Sequence, residues 1–239
     1  MSKKLGFVLI AGLLAFSSCN KDRDSEAVLV TVTETFDNGK NGWEAVFASY
    51  PKGGEENYEL NSGITALPEP LDGSKKGFMM HGNNHSDALR MLLAKQVGGL
   101  VPGQLYELIV ELRLASKYPE NSVGAGGSPG AANHLIAYAS SRGFEIEEED
   151  GIEVMLLFNL LPDPDIEEGR STADLGTVGI EGDDFVYTLI ERKNDEAILC
   201  KADHNGKTWV ITGTWSGFEG ITTLYYDKIK LTFTPLSTD

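Results

Sequence analysis

Apolar and polar residues alternate with a period of two along most of this chain, and the 3.6-residue period of an amphipathic helix is nowhere sustained. The clearest run is Gln104–Ala115, where Leu108, Val110, Leu112 and Leu114 alternate with Glu107, Glu111 and Arg113. The same pattern predicts strands over Val28–Phe36, Phe78–His81, Ala88–Val97, His134–Ser140, Ile152–Asn159, Phe185–Glu191, Trp209–Thr214 and Thr223–Thr234. Of these, Ala88–Gln96 also fits a turn or more of helix. Clusters of Gly, Pro and Asn separate the segments, so the pattern predicts an all-β chain, an antiparallel β-sandwich of the jelly-roll kind. Two connections are long, Lys117–Ala132 (rich in Gly and Pro) and Leu161–Asp183 (rich in acids). Long loops on a rigid scaffold are where binding sites gather.

The first residues break the alternation. Lys3 and Lys4 are followed by an apolar run, Leu5 to Phe16, too short to span a bilayer, and then by Ser17, Ser18 and Cys19. That order reads as a secretory signal rather than a transmembrane helix. With Cys at the cleavage point it resembles a lipoprotein signal, Phe16-Ser17-Ser18-Cys19 standing as the lipobox and Cys19 as the acylated N-terminus. The following Asn-Lys-Asp-Arg-Asp-Ser-Glu is similar to the short acidic signal that sends some Gram-negative lipoproteins to the cell surface. The implied organisation is a signal peptide over 1–18, an acylated Cys and polar tether over 19–27, and one domain over 28–239. The implied location is the outer membrane, facing outward, with the lipid as the sole membrane contact.

Charge and cysteine narrow the chemistry further. The formal charge is −16 and deepens by two once Lys3 and Lys4 are removed, which disfavours nucleic acid and anionic lipid as partners. With Cys19 taken by lipid, Cys200 has no intramolecular partner, and its apolar neighbours Ala197-Ile198-Leu199 suit a buried, inert thiol.

Two acids stand on strand faces that are otherwise apolar. Glu34 shares the even face of Val30, Val32 and Phe36; Asp227 shares the odd face of Tyr225, Ile229, Leu231 and Phe233. A buried carboxylate is costly without a compensating cation, and neither strand face carries Lys or Arg for the purpose. First and last strands of jelly rolls commonly lie side by side, so one hard cation between them would serve both acids. Calcium suits this, with Asp37 in the turn Phe36-Asp37-Asn38-Gly39 adding oxygen, and its role would be structural. The alternative is that the strand ends splay and both acids reach water.

The opening Glu34-Thr35-Phe36-Asp37-Asn38-Gly39 with Gly42-Trp43, and the closing Leu224-Tyr225-Tyr226-Asp227-Lys228-Ile229, resemble the two ends of galactose-binding-like, carbohydrate-binding-module jelly rolls. Four further motifs (Gly82–Asp87, Gly99–Tyr106, Val123–Gly130 and Thr214–Gly220) resemble those of a family of bacterial surface lipoproteins over nearly all of the mature chain. The first resemblance implies a calcium between terminal strands and a glycan ligand.

Sugar recognition needs flat aromatic faces and polar groups for the hydroxyls. The candidates are Trp215, Tyr50 and Tyr58 with Asn83, Asn84, Asp87 and Glu219, and Trp215 leads because Ser216–Gly220 beside it reads as a loop. Trp43 reads as core. Gly126-Gly127-Ser128-Pro129-Gly130 matches the nucleophile-elbow pattern, but Pro129 lacks the N–H that would serve the oxyanion, so Ser128 is a turn residue. His81 and His85, with His134, have no helix to align them for zinc. Asp203–Trp209 resembles an Asp-box once, without repeats, and reads as a hairpin turn; the acidic runs Glu145–Asp150 and Asp163–Gly169 read as solvated loops. The expected function is binding of an extracellular ligand, a carbohydrate first, through loops of the jelly roll. The alternatives are a glycoside-cleaving enzyme, for which nothing selects a pair among 36 acids, and a protein-interaction subunit.

Overall fold

A computed structural model describes residues 28–149 and 156–237. In chain order its strands are β1 (Val30–Thr35), β2 (Glu44–Ala48), β3 (Asn61–Ala66), β4 (Lys76–Asn83), β5 (Arg90–Val97), β6 (Leu105–Ser116) and β7 (Asn133–Ser140). They continue as β8 (Phe144–Glu148), β9 (Leu156–Leu160), β10 (Thr172–Thr177), β11 (Thr188–Lys193), β12 (Ile198–Lys201), β13 (Thr208–Ser216) and β14 (Ile221–Pro235). There is no helix among the described residues; Ala88–Gln96 resolves to a strand.

Two antiparallel sheets form the sandwich. The larger is built on the long central pair β6 and β14. Strands β11 and β12 pair successively along the far side of β6, while β4 and β1 do so along the far side of β14, with β3 outside β4. The smaller runs β10-β7-β13-β5-β2. The chain crosses between sheets at β4–β5–β6–β7 and again at β12–β13–β14, the to-and-fro winding of a jelly roll. First and last strands do pair, Glu34 opposite Ile229 and Thr35 opposite Lys228.

Period-two alternation explains the core. Leu108, Val110, Leu112 and Leu114 of β6 join Met91 and Leu93 of β5, Leu135 and Ala137 of β7 and Ile229, Leu231 and Phe233 of β14 in one buried cluster between the sheets. Each such Leu contributes roughly 2 kcal/mol by leaving water. In β14 the alternation changes phase. Leu224 and Tyr226 are buried before Asp227, and Ile229, Leu231 and Phe233 after it, because Asp227 is the extra residue of a β-bulge against β6. Tyr225 therefore does not share the buried face that strict alternation gave it.

Several elements differ from expectation. Strands β2, β3, β8, β10 and β12 were not marked by the pattern; they are four to six residues long, and β3, β8 and β10 are largely polar. The acidic run from Glu145 enters β8, and the supposed loop Leu161–Asp183 contains β10. Residues 152–155 of the predicted strand Ile152–Asn159 lie outside the described residues, as do the signal, Cys19 and the tether.

A third layer bears on the site. The β8–β9 hairpin packs on the outer face of the smaller sheet, where Phe158 joins Leu92, Ala94, Ile136, Ile211 and Ala48 in a second cluster with Phe144, Leu160, Tyr138 and Trp209 at its margin. This is why Trp209-Val210-Ile211 is apolar on both faces: one serves the sandwich, the other the hairpin.

Candidate functional site

The two acids that strict alternation places on buried faces are compensated from within the protein. Glu34 accepts a hydrogen bond from the Trp43 indole N–H at 2.5 Å and pairs with the Lys95 ammonium, which strand alternation on β5 points between the sheets. Lys95 Nζ also donates to the Asn41 carbonyl at 2.7 Å. Asn41 has φ of +50°, and its own side chain donates to the Thr35 carbonyl at 2.6 Å, fixing the Phe36–Trp43 turn around the ammonium. Asp227, only 3% exposed, pairs with Arg113 of β6. Neither β1 nor β14 supplies a Lys or Arg that pairs with these acids; the cations come from β5 and β6, which inspection of one strand at a time cannot reveal.

These partners bear on calcium. Asp37 Oδ1 accepts the Lys76 backbone N–H at 2.9 Å, so it caps a strand start. Among the described residues no group of three or more His, Cys, Asp or Glu gathers as a metal site. The Lys95 ammonium, held by one carboxylate and one carbonyl, supplies compensating charge to Glu34.

The expected ligand residues separate. Tyr50 and Tyr58 are buried with ring centroids 5.9 Å apart, and His85 stands edge-on to Tyr58 at 5.1 Å, so neither tyrosine offers an open ring face. Burial, reinforced by Glu55, pushes the Tyr50 hydroxyl up to about 12. Asn84 is buried and donates to the Ser216 and Phe218 carbonyls at 3.0 and 2.9 Å, while its Oδ1 accepts the Ser86 N–H at 3.2 Å. It fastens the β13–β14 turn. Asn83 donates to Glu59 at 2.9 Å on the larger sheet, Asp87 is an exposed positive-φ residue, and the Glu219 N–H donates to the Ala125 carbonyl at 2.9 Å. Asn84→Ala is expected to cost about 2 kcal/mol by removing the donor to the buried Ser216 carbonyl and one of the two donors, with the Ser216 hydroxyl, to the Phe218 carbonyl; a thermal melt within a degree or two of wild type would contradict that role.

Trp215 is different. It lies within β13 rather than in a loop, faces away from the sandwich, and is 48% exposed. Register brings Arg90 of β5 to one side of it and His134 of β7 to the other. One step down, Gly213 carries no side chain, and a Cβ there would come within 2.2 Å of the Met91 carbonyl oxygen. Trp215 borders a groove of about 540 Å³ together with Arg90, Ile136, Tyr138, Thr172, Ala173, Asp174, Asp195 and Glu196. That volume suits a small ligand of a few rings.

The polar groups of the groove are held in position. His134 Nδ1 lies 3.1 Å from Asp174 Oδ2, and Asp174 Oδ1 accepts the Gly176 N–H at 2.5 Å. Arg90 lies 5.8 Å over the Phe158 ring, and its Nε is buried without a partner. Burial raises the Tyr138 hydroxyl's pKa, with Arg90 opposing the shift, so Tyr138 remains a neutral donor. The arrangement offers one aromatic platform, hydroxyl and guanidinium donors, and carboxylate acceptors, a set matched to sugar hydroxyls. Of the residues singled out from sequence, Trp215 alone lines the groove. Arg90, Tyr138, Asp174, Asp195 and Glu196 were missed; the available signal was the doubly apolar β13, which marks an outer face with something on it.

A second cleft, about 380 Å³, lies on the outer face of the larger sheet. Arg113, Lys193, Lys228 and Lys230 alternate there with Glu111 and Glu191, and Lys230 pairs with Glu111 at 2.5 Å. It has no aromatic platform, and its exposed pairs contribute little.

The remaining motifs have structural roles. Ser128 Oγ donates to the Glu120 carbonyl at 2.7 Å and receives the Gly130 and Ala131 N–H groups at 3.2 Å, which makes it the organiser of a turn. Asp203 Oδ1 accepts the Asn205 and Lys207 N–H groups at 2.8 and 2.9 Å, which closes a hairpin turn. Cys200 is fully buried, and burial with the Asp163 charge pushes its thiol up to about 12. An unfolded thiol ionises near about 8.5, so the unfolded chain sheds its proton first and stability falls as pH rises from there towards 12. Thiol-reagent labelling of Cys200 should therefore track unfolding, and rapid labelling of the native protein would contradict this.

No family model and no curated protein matches this chain. Among solved structures it is similar to the CBM22-1 xylan-binding domain of Paenibacillus barcinonensis Xyn10C, at 10% identity and a TM-score of 0.39 over 86% of this chain and 95% of that one. It is similar to the K3 cleaved adhesin domain of the Lys-gingipain of Porphyromonas gingivalis, at 12% and 0.39 over 86% and 99%. It is also similar to the CBM22-1–GH10 modules of Clostridium thermocellum endo-1,4-β-D-xylanase 10B, at 14% and 0.38, where 87% of this chain spans 29% of that one. Some of these structural neighbours are carbohydrate-binding modules of jelly-roll form; at identities and TM-scores this low the likeness carries no inference about ligand.

Proposed function

We propose that this protein is a surface-anchored lipoprotein that binds an extracellular carbohydrate in the groove beside Trp215. The observation that carries the reading is a large indole, 48% exposed on a strand face, bordered by fixed donors and acceptors in a groove of about 540 Å³. Exposing half an indole costs hydrophobic free energy in the isolated protein, and stacking on a pyranose ring recovers it. The acidic charge fits a neutral glycan better than an anionic one.

The test is a glycan screen of the mature domain without Cys19, followed by the Trp215→Ala variant. Loss of the platform should weaken a retained glycan roughly thirtyfold, about 2 kcal/mol. Unchanged affinity in that variant would move the site elsewhere. For the anchor, Cys19→Ser should abolish acylation and release the protein from the membrane fraction.

A second reading is favoured by the three carboxylates Asp174, Asp195 and Glu196 bordering the same groove. Carboxylate pairs cleave glycosides when they flank the bond. Reducing-sugar release lost in both Asp174→Asn and Glu196→Gln would support hydrolysis over binding.

A further inference from the structure

The outer face of the larger sheet, turned away from the Trp215 groove, carries the cleft of about 380 Å³ on β11, β6 and β14. In a chain of formal charge −16, the sign there is reversed. Arg113, Arg192, Lys193, Lys228 and Lys230 line the cleft, against Glu111, Glu191 and the Asp227 that pairs with Arg113, a surplus of two positive charges. At physiological salt, charges more than about 8 Å away are largely screened, so this local surplus rather than the chain's total sets what the cleft attracts.

The bulge in β14 builds the centre of the cleft. Asp227 is its extra residue, and Lys228 after it stands in register with Arg113 on one side and Thr35 of β1 on the other. Asp227, 3% exposed, takes the Arg113 Nε. A carboxylate at Nε holds the guanidinium plane, while Nη1 and Nη2 have no hydrogen-bond partner among the described residues. That edge meets solvent: the side chain is 29% exposed, and neither Nη is an unpartnered nitrogen sealed from water, as the Arg90 Nε is. Lys193 and Lys228 pair with no carboxylate among the described residues. By contrast, Lys230 is spent on Glu111 at 2.5 Å, and Arg192 on the Thr177 and Gly179 carbonyls at 2.8 and 2.7 Å.

We infer that this cleft is a second binding site, which takes the carboxylate of a small acidic sugar, a uronate, on the Nη edge of Arg113 with Lys228 beside it. The paired N–H groups of a guanidinium match two carboxylate oxygens in one plane, and a guanidinium already held by Asp227 loses little freedom on binding. A surplus of two charges, with Glu191 opposite Arg113 on β11, suits a monoanion better than a phosphate dianion. Glu111 and Glu191 accept from ring hydroxyls and repel a second carboxylate, which favours a hydroxylated monoacid over an acidic peptide. The volume is at the small end for ligand pockets and suits a single ring. This site lies apart from the Trp215 groove and does not depend on its ligand.

The experiment is an amide NMR titration of isotope-labelled residues 19–239 carrying Cys19→Ser, with glucuronate, galacturonate, glucose and inorganic phosphate at constant ionic strength. A uronate should shift the amides of Arg113, Glu191 and Lys228 saturably, and glucose should not. Lys228→Gln should weaken the uronate about fivefold. Arg113→Lys, which keeps a cation for Asp227 but lacks the Nη edge, should weaken it about tenfold. Thermal melts check that both variants fold, and Lys228→Gln carries the test if Arg113→Lys does not. No saturable shift at these amides, or affinity unchanged in folded Lys228→Gln, overturns the site. Equal shifts with glucose overturn the role of charge, and phosphate binding tighter than either uronate overturns the choice of a carboxylate.

Discussion

Lys95→Met should destabilise the domain by about 3 kcal/mol, lowering Tm by roughly 6–12 °C. The ammonium and the Glu34 carboxylate are each only 17% exposed, and the variant leaves that carboxylate with the Trp43 indole as its remaining polar partner. Removing one member of a largely buried pair costs far more than removing both, because the survivor is a desolvated charge. Glu34→Gln in the Lys95→Met background should therefore restore most of the loss, since a neutral amide still accepts from Trp43. If the double variant is no more stable than the single, the cost lies in packing rather than charge. The same arrangement predicts that chelation leaves the wild-type Tm unchanged, because the compensating cation is part of the chain. A Tm that falls with EDTA and returns with calcium would contradict this account of the terminal strands.

Phe158→Ala should free the β8–β9 hairpin, with a cost of about 3–4 kcal/mol at the hairpin seat. Phe158 is the residue that joins Arg90, Tyr138 and Phe144 in the outer cluster. The sandwich core does not include it, so the loss should appear as local opening rather than global unfolding. Limited proteolysis should cut the variant within the hairpin at least a hundredfold faster than wild type, while the urea midpoint shifts little. Equal cleavage rates would mean that backbone ties alone hold the hairpin.

The fold was legible because period-two alternation is a local property. Gln104–Ala115 dictates a strand with Leu108, Val110, Leu112 and Leu114 inward, and β6 is that strand. Short edge strands escaped for the same reason: Thr172-Ala-Asp-Leu-Gly-Thr carries too little pattern to compete with a loop reading, yet β7 pairs with it. The site was far less legible, because it is made by register between strands distant in sequence. Trp215 could be picked from its own neighbours, whereas Arg90, Tyr138 and Asp174 join it only through pairing of β5, β13, β7 and β10. Tyr50 and Tyr58 misled because the polar segment between them, Pro51-Lys-Gly-Gly-Glu-Glu-Asn57, carries no core pattern, while both rings turn into the core. Asn84 misled because a planar amide that suits a sugar hydroxyl equally suits two backbone carbonyls.

The central claim is that Trp215 is the platform for a bound glycan, and tryptophan fluorescence reads it directly. Trp43 is buried and Trp209 is half-buried beside Phe144, which leaves Trp215 as the most exposed indole among the described residues. Acrylamide quenching should fall sharply when an oligosaccharide retained by the screen is added, and the fall should be absent in Trp215→Phe. Protection that persists unchanged in Trp215→Phe, or binding with no change in quenching at all, would contradict it.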